Sequence, residues 1–245
     1  MVHSANWTRR MIDRFPGDSK TAAHQRLRCY GYGVPDLHRA INSAENAVSL
    51  VFEGALQPFQ KKRSEPRTYQ MHVHQLPWPA DVLQGLGAAR VRMRVTLSYF
   101  IEPSPGSVGW KVNTRYASHG LRFDVIRPTE NLEGFKQRIS KDFWENEKRP
   151  VNQAKETRNW VIGDQGRTNG CLHSDWWVGS AVDLAACGSI VVYPVTGWWK
   201  DRRHLGCYEN KARYSMIVSL ESDDETVDLY TPISQTVDVQ TEIMV

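Results

Sequence analysis

The sequence lacks several features that would place it in a specialised class. No apolar run reaches the length of about 18 residues that a membrane-spanning helix needs. The N-terminus has no basic patch followed by an apolar stretch, so we expect no secretory signal. Neither charge sign is in large excess, because 31 Lys and Arg residues stand against 27 Asp and Glu residues. A net charge of +4, scattered along the chain, does not predict binding to nucleic acid.

Cysteine is also scarce. The four cysteines are Cys29, Cys171, Cys187 and Cys207, and no two of them form a CxxC pair. Reduced thiols in a cytoplasmic protein are the simplest interpretation, and the even number leaves disulfides open. With 40% hydrophobic and 24% charged residues, the composition predicts a soluble, folded protein located in the cytoplasm.

The motifs of common catalytic sites are missing. There is no G-x-S-x-G elbow, and Gly85-Leu86-Gly87 lacks the remaining residues of a phosphate-binding loop. The run His173-Ser174-Asp175 has the residue types of a hydrolase triad, but consecutive side chains diverge, so a polar turn is the better interpretation. The same reason excludes Ser118-His119-Gly120. We therefore predict no catalytic residue and no cofactor in this chain.

Histidine and cysteine offer two candidate metal sites. His72 and His74 fall on one face of a predicted strand, and Cys171-Leu172-His173 with His204-Leu205-Gly206-Cys207 would supply two thiolates and two imidazoles. Nothing in the sequence brings the latter two segments together, which favours ordinary half-buried side chains. We predict no metal, and we expect His72 and His74 on the solvent face of their strand.

Alternation of apolar and polar residues dominates the chain after residue 70. In residues 90–99, five apolar side chains fall on one face and three arginines (Arg90, Arg92 and Arg94) on the other. This pattern is typical of an antiparallel strand with one face in water. A basic face without interleaved aromatic residues does not favour nucleic acid as a partner. Further strands are predicted at residues 71–76, 121–126, 188–195, 214–220 and 227–233.

Helical spacing occurs at residues 80–86 and at about 130–148, where Leu132, Phe135, Ile139 and Phe143 share a face. Near the N-terminus, Pro35 suits the first turn of a short helix. The predicted fold class is mainly β: an antiparallel β-sandwich of about seven or eight strands with an inserted helix, preceded by a short α/β remnant. We divide the chain into the remnant (1–50), a linker (51–70) and the β-sandwich domain (71–245).

Tryptophan is abundant, with nine residues that include the adjacent pairs Trp176-Trp177 and Trp198-Trp199. Neighbours in a strand face opposite sides, so each pair is expected to place one indole in the core and one outside. Trp177 and Trp199 are the candidate ligand-binding residues, because an outward indole often contacts a sugar ring or a partner. The alternative is that another part of the same chain covers them. A stand-alone module that binds a glycan, a peptide or a partner protein is thus one functional hypothesis.

Two groups of motifs resemble a known family. The sequence YGYGVPDLHRA (30–40) resembles the G-x-G segment and last helix that end the catalytic domain of subtilisin-like (S8 family) serine peptidases. Val2-His3-Ser4-Ala5 resembles the end of the helix that precedes this segment. The sequences LSYFIEP (97–103), ASHGLRF (117–123) and YPVTGWW (193–199) are similar to the C-terminal extension of a group of large bacterial subtilases.

The resemblance implies a peptidase fragment without its catalytic centre. The family's D-[ST]-G, H-G-T and G-T-S-x-A motifs are absent, and in family order all three precede the G-x-G segment, upstream of Met1. The chain is therefore expected to be inactive by itself, as an accessory or substrate-positioning domain. The implied partners are a protein substrate or the missing catalytic domain, and an ATPase. We expect neither nucleic acid nor a membrane as a partner. Val34, Leu37 and Ile41 are expected to be partly exposed in the remnant.

Overall fold

The computed structural model describes residues 1–37, 40, 47–62, 65–105, 116–146, 159–222 and 240–244 of the chain. The protein is mainly β with antiparallel sheets, which confirms the predicted fold class at that level. The strands in these ranges are β1 (Ala47–Leu56), β2 (Phe59–Lys62), β3 (Glu65–Thr68), β4 (Gln70–Gln75), β5 (Arg90–Tyr99), β6 (Gly120–Val125), β7 (Leu172–Ser180), β8 (Ser189–Val195), β9 (Ala212–Ser222) and β10 (Gln240–Met244). The α-helices there are α1 (Arg9–Arg14), α2 (Lys20–Tyr30), α3 (Ala80–Leu86), α4 (Leu132–Asn146), α5 (Asp164–Arg167), α6 (Ala181–Ala185) and α7 (Trp198–Asp201).

Eight of the strands form two antiparallel sheets of four strands each. Sheet 1 has the order β1-β9-β5-β7, and sheet 2 has the order β10-β4-β8-β6. The central strand of sheet 1, β5, pairs with β9 on one side and with β7 on the other. The remaining strands, β2 and β3, form a hairpin of their own.

One hydrophobic core contains side chains from both sheets. On β5 the alternation works as the sequence predicts, since Val91, Met93, Val95 and Leu97 are buried in this core. Sheet 2 contributes residues such as Phe123 and Val192 to the same cluster. Apolar side chains from both sheets therefore meet in one cluster. The sandwich arrangement itself stays a prediction.

Helix α4 covers the other face of sheet 2. Phe135 and Ile139, four residues apart on one helical face, are fully buried against Met71, Val73 and Tyr193. Strand β4 is therefore buried on both faces. This corrects the expectation that His72 and His74 decorate a solvent face, because both histidines are buried and point into the core that the two sheets share.

The N-terminal segment, residues 1–37, covers the outer face of sheet 1. It consists of a short 3-10 helix, α1, α2 and one isolated bridge between Asn6 and Val34. Gly33 has a φ of 93°, and a Cβ there would lie 2.2 Å from the Asn6 carbonyl oxygen, so the bridge requires glycine. Most of the helix predicted after Pro35 lies outside the described residues.

Coverage by the N-terminal segment corrects the prediction of a solvent-exposed face on β5. Arg90 is exposed and Arg92 is half-buried, whereas Arg94 is only 1% exposed. The alternation indicated correctly which residues share a face. The alternation does not indicate whether another part of the chain packs on that face.

The segment predicted as a linker is structured. Residues 51–56 belong to β1, which pairs with β9 along its whole length from Ala47 to Leu56. Residues 59–62 and 65–68 form the β2–β3 hairpin. The strand predicted at residues 227–233 lies outside the described residues. Among the helices that the structure describes, none is both long and apolar enough to cross a membrane.

Candidate functional site

The structure places the first tryptophan pair on opposite faces of β7, but it exposes neither ring. Trp176 and Trp177 are each 5% exposed. Trp176 lies on the outer face of sheet 1, where Trp7 of the N-terminal segment covers it at a ring-to-ring distance of 5.2 Å. Trp177 belongs to the shared core. The expectation that Trp177 faces outward is therefore wrong.

The second pair lies in helix α7 rather than in a strand, and both of its indoles are buried. The indole N–H of Trp198 donates to the Glu102 carbonyl oxygen at 2.9 Å, and that of Trp199 donates to the Glu102 carboxylate at 3.1 Å. Trp199 also stacks on His119 with ring centres 4.6 Å apart. These contacts use Trp199 inside the fold, so it is not an outward ligand-binding residue.

A cavity of about 440 Å³ is nevertheless present beside Trp177. It lies at the end of β6, between residues 126–129, residues 159–167 and the turn from β7 into α6. Its size is within the usual range of small-molecule and side-chain pockets. The cavity is lined by Asp124, Val125, Ile126, Arg127, Pro128, Thr129, Asn159, Trp160, Asp164, Arg167, Trp177, Asp183 and Cys187.

Two tryptophans form the aromatic wall of the cavity. Trp160 and Trp177 are opposite each other in an isolated antiparallel bridge, so their side chains lie on the same face. Backbone bonds from Val161 to Trp176 and from Val178 to Asn159 hold this bridge at 2.9 and 2.8 Å. Trp177 also requires Gly179 two residues along the strand, because a Cβ there would lie 2.4 Å from the indole ring.

A buried ion-pair network supports one side of the cavity. Arg167 is 4% exposed and bonds to the carboxylates of Asp164 and Asp175. Asp175 is fully buried and accepts bonds from the backbone N–H groups of Ile162 and Gly163, each at 2.8 Å. Burial disfavours the charged guanidinium, but the two carboxylates outweigh that effect and raise the pKa of Arg167. Arg167 is therefore a fixed cation whose charge is already neutralised.

The opposite side is held by Arg138 of α4. Its guanidinium donates to Asp124 at 2.7 Å and to both carboxylate oxygens of Glu130 at 2.8 and 2.9 Å. These bonds fix α4 to the end of β6, and they leave the Asp124 carboxylate paired with Arg138. Burial opposes the charge on Arg138, but Glu130 and Asp124 raise its pKa above the ordinary value.

Asp183 is the exception among the lining carboxylates. It lies on the exposed side of α6 and accepts a bond from the Ser180 hydroxyl at 2.7 Å. No Arg or Lys of the described part of the chain forms an ion pair with it, whereas Asp124 and Asp164 are both paired with arginine. Asp183 therefore offers the cavity a carboxylate that is available to a ligand.

Helix α2 of the N-terminal segment packs behind this wall. The His24 ring donates from Nε2 to the Ile162 carbonyl oxygen at 2.9 Å. Gly166 of α5 is in close contact with the same ring, since a Cβ there would lie 2.6 Å from His24 Nε2. The part of the cavity wall that carries Asp164 and Arg167 is thus fixed to the N-terminal segment.

Neither serine–histidine run forms a hydrolase triad. His173 contacts the Gly170 carbonyl oxygen, while Ser174 bonds to Arg94 and Thr96, which agrees with the expected divergence of neighbours. Ser118 Oγ does lie 3.0 Å from His119 Nδ1, and it accepts a bond from the Glu102 N–H. His119 Nε2 is buried and has no carboxylate or other hydrogen-bond partner among the described residues.

The two histidines considered as metal ligands on β4 have another partner in the core. His72 and His74 both bond to the Tyr214 hydroxyl, at 2.7 and 2.8 Å. In the part of the chain that the structure describes, no three His, Cys, Asp or Glu side chains are grouped closely enough to hold a metal ion.

Of the residues that line the cavity, the sequence singles out Trp177 alone, through the incorrect expectation that its indole faces outward. The opposite charges at Asp164 and Arg167 have helical i, i+3 spacing, which is a usable signal for their ion pair. No local pattern relates either residue to Asp124 or Asp183. Comparisons of the chain with protein-family models, with curated proteins and with solved structures found no match.

Proposed function

We propose that this chain is the C-terminal part of a subtilisin-like serine endopeptidase, in which it braces the catalytic domain and positions a protein substrate. The parent reaction is peptide-bond hydrolysis by an Asp-His-Ser triad upstream of this chain. The chain itself is inactive in this proposal, and no residue of it is assigned a catalytic role. The resemblance of residues 2–5, 30–40 and three later motifs to such peptidases supports the assignment.

The observation that carries the proposal is the contact between the N-terminal segment and sheet 1. Arg94 donates from Nη1 to the Ala5 carbonyl oxygen at 2.5 Å and stacks on Trp176. His3 bonds to the Thr96 hydroxyl at 2.8 Å, and the Tyr32 hydroxyl donates to the Leu172 carbonyl oxygen at 3.1 Å. Buried polar contacts of this kind fix orientation, which is what a brace needs and a tethered module does not.

Exposed apolar side chains at the end of the N-terminal segment are consistent with a further covering domain. Val34 is 49% exposed and Leu37 is 71% exposed. In the proposal the upstream part of the peptidase covers them. The free thiols of Cys29, Cys171, Cys187 and Cys207 suit a reducing compartment, so we also propose a cytoplasmic location.

The first test is reactivity toward a fluorophosphonate probe, with casein cleavage measured in parallel. The purified 245-residue chain should show neither covalent labelling nor cleavage, beside a subtilisin that shows both. Labelling of any serine in this chain, Ser118 included, would overturn the assignment of the triad to the upstream segment.

The alternative proposal is a stand-alone binding module. The cavity next to Trp177 favours it, because an aromatic wall flanked by charged groups is typical of a recognition site. Trp199 no longer supports this alternative, since its ring stacks on His119 and its N–H bonds to Glu102. The mass of the polypeptide that cells produce separates the two proposals.

A further inference from the structure

The cavity beside Trp160 and Trp177 has the chemistry of a site for a basic side chain. We propose that it binds an arginine or lysine side chain of a polypeptide, with the cationic group at Asp183 and the aliphatic stem along the two indoles. This inference rests on the proposed substrate-positioning role, because that role makes a polypeptide the occupant.

The charges around the cavity favour a cation at the position of Asp183. Three aspartates and two arginines are among the residues that line the cavity. One of those arginines, Arg167, is already neutralised by Asp164 and by the fully buried Asp175. The second is Arg127, in the loop with the exposed Pro128 and Thr129 at the end of β6. Because Asp124 and Asp164 are each paired with an arginine, the carboxylate that would attract a cation is that of Asp183, on the wall formed by the turn from β7 into α6.

Among the three aspartates, Asp183 is the one whose carboxylate is not already in an ion pair with an arginine of the described residues. Asp124 is bonded to Arg138 at 2.7 Å, and Asp164 is bonded to Arg167. Asp183 accepts only from a neutral hydroxyl, that of Ser180. A guanidinium or ammonium group would therefore form its charge-assisted hydrogen bond with Asp183 without breaking an existing ion pair.

The aromatic wall favours a ligand side chain with a long aliphatic portion. Trp160 and Trp177 are over nine-tenths buried, and the Arg167 guanidinium already lies over the Trp160 ring at 4.6 Å, so the two indoles present only a narrow apolar surface. An aliphatic stem of three or four carbons ending in a cation matches this surface better than a flat sugar ring does. The fixed position of the wall, clamped by His24 on α2, limits the cost of ordering the site on binding.

The experiment is a titration of the full chain with a short glycine peptide that contains one arginine. Binding is monitored through the tryptophan indole N–H signals in ¹⁵N NMR spectra. The control peptide replaces arginine with citrulline, which keeps the shape and removes the charge. We expect saturable shifts of the Trp160 and Trp177 signals with the arginine peptide and weaker binding of the citrulline peptide by about tenfold.

Matched variants locate the interaction. Asp183→Asn should lower the affinity for the arginine peptide by about tenfold. Asp201→Asn, on the exposed side of α7, should leave that affinity unchanged. Equal affinity of the arginine and citrulline peptides, tighter binding of a glutamate peptide, or no shift at millimolar peptide would each overturn the inference. The titration needs no peptidase activity, so its failure is separate from a failure of the proposed function.

Discussion

The guanidinium of Arg94 is stacked on the indole of Trp176, with its carbon 4.2 Å from the ring centre. The two residues are direct neighbours across β5 and β7 on the outer face of sheet 1. Trp7 packs on the same indole, and Arg26 of α2 lies over Trp7 at 5.1 Å. Two guanidinium groups and two indoles thus link α2 to sheet 1, and residues 1–37 belong to the same folded unit as the sheet.

Removing the Trp7 ring should therefore release the N-terminal segment. Trp7→Ala loses the contact with Trp176 and the bond from the indole N–H to the Gly31 carbonyl oxygen at 2.9 Å. We expect faster amide hydrogen exchange throughout residues 1–37, while strands β4 and β8 of sheet 2 keep their protection. Trp7→Phe retains a ring and should have a smaller effect. Unchanged exchange in Trp7→Ala would show that the stack does not hold the segment.

A second prediction concerns the Tyr214 hydroxyl, which bonds to both His72 and His74 in the core. Tyr214→Phe leaves His74 without this bond in a buried position, at a cost of about 1–3 kcal/mol in the free energy of unfolding. Urea denaturation measures the loss. Tyr208→Phe is the matched control, because Tyr208 is half-buried in the Trp198 cluster and its hydroxyl bonds to no histidine among the described residues. Equal stability of the two variants would contradict the assignment.

Stability should fall as the pH is lowered from neutral. Burial lowers the pKa of His74, His119 and His173 to about 4, from an ordinary value of 6.5. Between these two values the unfolded chain binds protons that the folded chain does not. Each histidine then removes about 1.4 kcal/mol of stability per pH unit, and the contribution is complete above the unfolded pKa.

The check is the urea midpoint at a series of pH values between 7 and 4. The variant His119→Phe keeps a ring against Trp199 and removes one titrating group, so its pH dependence should be shallower by about one proton. A pH dependence identical to that of the unmodified chain would contradict the buried, neutral state of His119.

The shape of the cavity depends on the absence of a side chain at Gly179. In Gly179→Ala the new methyl group would meet the Trp177 ring at 2.4 Å, so the ring must move. We expect a shifted Trp177 indole signal and a loss of about 1–3 kcal/mol in unfolding free energy. Gly188→Ala is the control, because nothing lies within 4 Å of a Cβ at that position. An unmoved Trp177 signal in Gly179→Ala would contradict the packing described.

Local patterns predicted strands β4, β5, β6, β8 and β9, but they did not predict β1 or helix α2. Strand β5 and helix α3 have the predicted bounds, Arg90–Tyr99 and Ala80–Leu86, because period two and period 3.6 are properties of the chain itself. The segment from 51 to 70 was misassigned as a linker. Its strand β1 has no strict alternation, since Leu50 and Val51 are adjacent apolar residues and Val51 is exposed.

Burial and site geometry were less predictable, for a different physical reason. His72, Arg94 and Trp177 are buried because distant parts of the chain lie over them, and spacing in the sequence does not encode that coverage. The cavity combines residues as far apart as Asp124 and Asp183, which come from separate strands and helices. Of the residues that line this cavity, the sequence pattern singled out only Trp177, and it predicted the wrong exposure for that residue.

In the proposed function this chain acts as the C-terminal, non-catalytic part of a longer peptidase. The most direct test is the intact mass of the polypeptide that an antibody to residues 70–245 recovers from the cells that make it, with fluorophosphonate labelling of the same sample. We predict a mass well above 28.1 kDa and labelling at a serine upstream of this chain. An unlabelled polypeptide of 28.1 kDa would contradict the claim and leave the binding module as the function to pursue.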